Sequence, residues 1–145
     1  MSGPASPQHP GWCFGCGPDN PIGLHLPWDA VEDERYQAPL TFDDRHQGGP
    51  GIVHGGIVST ALDEAMGILA QHVAFPSVTA RFLVRYRKPV PTGQELRLEA
   101  HLARTSGGQR RFDASLARGE EVLADAEGWF LEVPLAHFLR YRRLP

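Results

Sequence analysis

Apolar residues recur along this chain with two different periods. From residue 57 to residue 73 the period is helical. On a wheel of about 100° per residue, Ile57, Val58, Ala61, Leu62, Ala65, Met66, Ile68, Leu69 and Val73 share one half-circle. Ser59, Thr60, Asp63, Glu64, Gly67, Ala70 and Gln71 fill the other half, and His72 is the one polar residue on the apolar side. This predicts a long amphipathic helix, entered from the glycine-rich stretch at 51–56. Elsewhere the period is two, which predicts strands. Ile22, Leu24, Leu26 and Trp28 alternate, then Tyr36, Ala38, Leu40 and Phe42, with the acidic turn Glu32-Asp33-Glu34 between them. After a break at Phe75-Pro76-Ser77, Val78, Ala80, Phe82, Val84 and Tyr86 point one way, and Thr79, Arg81, Leu83, Arg85 and Arg87 the other. Proline ends that strand at Lys88-Pro89-Val90-Pro91. Three more strands follow, with hairpin turns at Thr105-Ser106-Gly107-Gly108 and Arg118-Gly119-Glu120-Glu121.

One long helix followed by a run of strands is an α+β architecture. A single helix cannot cover both faces of such a sheet, so self-association is expected. The chain has 145 residues, enough for one domain with a real core. The expected division is a flexible leader over 1–12, the folded domain over 13–136 and a basic tail over 137–145.

Charge narrows the function classes. The net charge of −3 argues against a nucleic-acid partner. No apolar run reaches the roughly 18 residues that suggest a membrane span, and the first residues do not read as a secretory signal. With two cysteines and no signal, the expected compartment is the cytoplasm. The halves differ: residues 1–80 hold nine acids and two bases, residues 81–145 eight acids and twelve bases. The basic group Arg85, Arg87 and Lys88 is therefore a candidate for binding an anionic ligand such as a nucleotide phosphate.

The polar half of the helix is unusual for a surface that meets water. Its residues are mostly small, and no Lys or Arg stands between Arg45 and Arg81. Small residues suggest that another protomer or a ligand packs close. Asp63 then occupies a tight place without a basic neighbour in sequence, and partial burial would raise its pKa and make it a candidate base or nucleophile. At the helix start, Gly55 and Gly56 follow no Ser, Thr, Asp or Asn, so the start reads as uncapped, with amides able to hold a ligand oxygen. Cys13 and Cys16 have CxxC spacing. A structural zinc wants four ligands, and only His9 and His25 lie near in sequence. The Gly, Pro and Asn that follow favour turns. The reading adopted is two thiols in a packed turn, without a metal.

His54-Gly55-Gly56 followed by Asp63, together with Cys13-Phe14-Gly15-Cys16-Gly17-Pro18-Asp19-Asn20-Pro21-Ile22-Gly23-Leu24 and the segments Thr79-Ala80-Arg81-Phe82 and Arg87-Lys88-Pro89-Val90-Pro91, resembles the hotdog-fold acyl-CoA thioesterases of the PaaI-like group. The resemblance covers about residues 13–133. It implies a long central helix wrapped by an antiparallel sheet, an acyl-CoA substrate, no cofactor, and a dimer or dimer of dimers with active sites at the protomer interface. It also implies site residues. The Gly55 amide, aided by Gln47 or else His46, would hold the thioester carbonyl. Asp63 would act as general base or nucleophile, and Thr79 would reach the site of the neighbouring protomer. His54 would shape the loop, and Gly56, Arg85, Arg87 and Lys88 would contact substrate. Gly67 departs from the pattern, because some hotdog thioesterases place a hydroxyl there. Two other readings stay open: a hotdog dehydratase acting on hydroxyacyl thioesters, and a non-catalytic acyl-CoA-binding module.

Overall fold

A computed structural model describes residues 9–141. The leader positions 1–8 and the tail positions 142–145, Arg142 and Arg143 among them, lie outside the described residues. Six strands form one antiparallel sheet: β1 (Val31–Glu32), β2 (Arg35–Thr41), β3 (Ser77–Tyr86), β4 (Glu95–Ser106), β5 (Gln109–Arg118) and β6 (Glu121–Glu132). Their spatial order is β1-β2-β4-β5-β6-β3. The long helix α1 (Gly55–Val73) lies across one face and touches β2, β3, β4, β5 and β6. A single turn, α2 (Ala136–Leu139), follows the sheet. This is the expected single domain with one helix wrapped by an antiparallel sheet.

The helical stripe becomes the core. Val58, Ala61, Leu62, Ala65, Met66, Ile68 and Leu69 are buried against Tyr36, Leu98, Phe112, Leu116 and Phe130 from the strands. Gly128 makes the helix–sheet contact close: a Cβ there would stand 2.8–3.0 Å from Phe130 and from Met66 Cε and Sδ. The hairpin turns fall where predicted. Gly107 and Gly119 link their strands with φ of 61° and 58°, a region that costs glycine little.

Three expectations change. Residues 22–28 form no strand among the described residues, although Leu24 and Leu26 are buried. Their amides bond the carbonyls of Phe14 and Gly15, so the segment packs on the cysteine loop rather than on a ladder. Ala70 and Gln71, placed on the polar half of the wheel, are buried. The Gln71 side chain accepts from the Ser77 amide at 3.0 Å and donates to the Ser77 carbonyl at 2.8 Å, tying the end of α1 to the start of β3. Finally, β3 does not alternate throughout. Its register on β6 shifts between Thr79 and Arg81, so that Thr79 faces Phe130 while Arg81 faces Trp129. A bulge turns a side chain to the other face. Thr79 thereby joins Phe82, Val84 and Tyr86 on the helix side instead of Arg81 and Leu83.

Candidate active site

The bulge brings together the first pair of the site. Thr79 Oγ1 donates to Asp63 Oδ1 at 2.9 Å, both in the same chain. Sequence reading placed Thr79 at a neighbouring protomer's site; within this chain it serves its own helix. Asp63 is half-buried and has no cationic partner among the described residues. Burial pushes its carboxyl above the ordinary carboxylate range, the Thr79 hydroxyl pulls the other way, and the neighbouring Glu64 charge adds to the rise. A carboxylate with raised basicity, held by a hydroxyl at an open edge of the domain, is suited to take a proton or to attack an electrophile.

The start of α1 is not uncapped. His54 is its N-cap, and its Nδ1 accepts from the Gly56 amide at 2.9 Å. Histidine is an unusual cap, which is why a search for Ser, Thr, Asp or Asn passes over it. Gly56 therefore spends its amide inside the chain, whereas the Gly55 amide makes no hydrogen bond among the described residues. Tyr86, at the far end of β3, donates to the Gly55 carbonyl at 2.8 Å and meets the Ser59 hydroxyl. Sequence reading gave Tyr86 and Ser59 no part; a tyrosine at the end of the helix-facing row was the available signal.

Gln47 and His46 lead into the helix start. Gln47 is exposed, donates to the Asp44 carbonyl at 2.9 Å and accepts from the Gly51 amide at 2.8 Å, so it braces its own loop while keeping a second amide hydrogen. His46 points inward, against its expected role at the substrate. It is buried edge-on to Phe42, and its Nδ1 accepts from the Asp43 amide at 3.1 Å. The basic group Arg85, Arg87 and Lys88 is engaged in ion pairs within the chain. Arg85 pairs with Asp125 and Glu127 at 3.0 and 2.9 Å, Arg87 pairs with Asp125, and Lys88 pairs with Glu121 at 2.8 Å. Arg85 points from the sheet face opposite the helix, and all three cations are paired with acids of β6. Arg97, Arg110, Arg111 and Arg118 likewise pair with acids of the sheet.

A second cluster surrounds Glu64, to which the sequence analysis gave no role. Its side chain is only 14% exposed and meets His9 and Cys13 of the cysteine loop. His25 lies elsewhere, bonded through Nε2 to the Asn20 carbonyl.

A family model described as the thioesterase superfamily matches residues 50–126, which span the helix start, Asp63, Thr79 and Tyr86. An acyl-coenzyme A thioesterase THEM4 from Xenopus laevis is 30% identical over 61 residues, which is 42% of this chain and 28% of that protein. The chain thus spans under a third of the curated relative it matches. Among solved structures, the thioesterase superfamily protein RHA08564 superposes with a TM-score of 0.77 at 24% identity, covering 83% of this chain and 60% of that one. The smu.793 protein of Streptococcus mutans, bound to acetyl CoA, gives 0.67 at 18% identity over 71% of this chain and 84% of its own. The E. coli PaaI protein of the phenylacetic acid degradation operon gives 0.66 at 14% identity over 71% and 75%. At these identities the structural likenesses establish the hotdog fold.

Proposed function

Since the chain belongs to the thioesterase superfamily, we propose that it hydrolyses an acyl-CoA thioester, with Asp63 as the acting carboxylate. The observation that carries this reading is the Asp63–Thr79 pair: a half-buried carboxylate without a cation, held by a hydroxyl that a bulge has turned toward it. In the general-base route Asp63 takes a proton from water as the water oxygen bonds the carbonyl carbon. The carbon–sulfur bond then breaks, and the CoA thiolate leaves and is protonated. In the nucleophilic route a carboxylate oxygen bonds the acyl carbon, the carbon–sulfur bond breaks as the CoA thiolate leaves and is protonated, and water later cleaves the anhydride to the free acid and the Asp63 carboxylate. Donors aimed at the developing oxyanion lower the barrier in either route. The Gly55 amide is the candidate donor, with the second Gln47 amide hydrogen beside it.

Gly55 and Asp63 of one chain do not reach one carbonyl. Eight helical residues separate them by about 12 Å. This supports a composite site. Thr79 meets Asp63, and Tyr86 meets Gly55, so β3 runs antiparallel to α1. β3 is also an edge of the sheet. If a second copy pairs its β3 antiparallel about Phe82 and Leu83, its Gly55 end comes to the Asp63 end of this chain. One two-fold axis then makes two sites, which accords with the expected dimer.

Thiol release from short, long and aryl acyl-CoAs, measured beside Asp63→Asn, tests the reading. Turnover by the native protein and its loss in the variant are expected. Turnover that survives in Asp63→Asn sinks the assignment, and binding without turnover moves it to a non-catalytic acyl-CoA module. Light-scattering mass in solution tests the dimer, since a monomer with full activity excludes the composite site. Incorporation of ¹⁸O into Asp63 in a single turnover distinguishes nucleophile from base.

A further inference from the structure

We propose that this chain carries a structural zinc site made by His9, Cys13, Cys16 and Glu64. The inference is independent of the thioesterase reading, because it rests on the other side of the helix. One step beyond Asp63, α1 turns by about 100°, and Glu64 faces the cysteine loop. His25, the other histidine near the CxxC in sequence, is turned to the Asn20 carbonyl, and the fourth ligand is supplied instead by Glu64, about fifty residues away, through the fold.

Geometry is the first argument. One ligand atom from each of the four residues lies within 4.8 Å of all the others. His9 Nδ1 is 3.1 Å from Cys16 Sγ and 3.5 Å from Glu64 Oε1, and Cys13 Sγ is 3.6 Å from the same oxygen. Metal–ligand lengths of about 2.0–2.3 Å in a tetrahedron give ligand–ligand edges of about 3.3–3.8 Å. The three edges stand within about 0.2 Å of that range. The donor set is the second argument. Two thiolates, an imidazole and a carboxylate match zinc, whereas calcium and magnesium take oxygen donors. A divalent cation also offsets the negative charge that two thiolates and Glu64 gather in a half-buried place.

The loop is shaped for this contact. A Cβ on Gly15, between the cysteines, would stand 2.3 Å from Glu64 Cγ and Cδ, so only glycine admits the carboxylate. A Cβ on Gly17 would stand 2.3 Å from the Gly11 carbonyl oxygen and 2.4 Å from the Cys13 amide nitrogen. The turn itself closes through Cys13 N–H to the Pro10 carbonyl at 3.0 Å and Gly17 N–H to the Cys13 carbonyl at 2.8 Å. Trp28 lies against the His9 ring, with centroids 4.8 Å apart, and against His72 of α1. Four protein ligands leave no open coordination position, so the site's task is to staple the leader to α1 at the turn that bears Asp63. The rival is a Cys13–Cys16 disulfide; both thiols are free here.

The test uses the full chain purified without chelator. Metal analysis should find about one zinc per chain, with both thiols recovered as free thiols after denaturation. Glu64→Gln and Cys16→Ser should each lower zinc occupancy several-fold. Because a variant can fail to fold, the native protein is also stripped and reloaded with cobalt(II). Thiolate-to-cobalt charge transfer and intense tetrahedral d–d bands are expected. Substoichiometric zinc without those bands overturns the proposal, and so does an intact disulfide in the purified protein. Full zinc occupancy retained by a folded Cys13→Ser, Cys16→Ser double variant overturns it as well.

Discussion

Asp63 and Glu64 are adjacent acids on one helix, yet the fold gives them opposite surroundings. Asp63 looks toward the edge strand β3, where its partner is a single hydroxyl. Glu64 looks toward the cysteine loop, where two thiols and an imidazole meet it. The first is an acid left with unused basicity beside an open edge. The second is enclosed by ligating groups from a segment distant in sequence. One residue of rotation on a helix thus separates a place for chemistry from a place for cross-linking. The difference comes from what packs on each side, not from the acids themselves.

The comparison breaks most readily at Asp63. Asp63→Asn should lower turnover about 100- to 10,000-fold, read by thiol release, while thermal unfolding stays level or rises. The carboxyl's pKa is raised by burial, so its charge is not a source of stability at neutral pH and a neutral isostere removes a cost. A variant that unfolds markedly earlier would place Asp63 on the structural side instead. The enclosed side should answer in the opposite way. Gln71→Ala leaves the buried Ser77 amide and carbonyl without their partner, at about 1–3 kcal/mol, a fall of several degrees in the unfolding midpoint. Its turnover per folded molecule at low temperature should hold, and a specific loss of turnover would show that β3 is displaced.

Thr79→Ala sharpens the comparison through pH. Asp63 must be ionised to act, so activity falls as pH drops through its pKa, which lies above the ordinary value of about 3.9. The Thr79 hydrogen bond favours the ionised form, and losing it raises the pKa further. The acid limb of kcat/KM should therefore move to higher pH, with a loss of roughly tenfold or less at the plateau. A limb that moves down, or stays, excludes Asp63 as the titrating group. Tyr86→Phe should have the smallest effect. It removes an exposed hydrogen bond to the Gly55 carbonyl, about 0.5–1.5 kcal/mol at most. If Gly55 serves a partner's Asp63, kcat should also fall a few-fold.

Much of the architecture was legible in the chain because burial follows period. The stripe of α1, the long strands and both hairpin turns were readable from residues 57–73, from the alternation after Val78 and from Gly107 and Gly119. Gln71 was misplaced because a helix wrapped by five strands buries more than half its circumference, which a two-sided wheel does not represent. Residues 22–28 alternate because one side meets the core, and alternation alone does not say whether a partner strand exists.

The candidate site was legible in identity but not in arrangement. His54-Gly55-Gly56 and Asp63 mark it by spacing, since positions on one helix are related by local geometry. The Thr79–Asp63 bond was not readable, because one bulge residue reverses which face a side chain takes, and the register against β6 decides where the bulge falls. Arg85 likewise looked available until the strand opposite it proved to carry Asp125 and Glu127. The meeting of Glu64 with Cys13, Cys16 and His9 depends on a contact across fifty residues. Local composition and periodicity determined the elements of this protein and the residues able to do its chemistry. The pairing of those residues was decided by tertiary structure alone, because strand register and loop docking are set by the whole core at once.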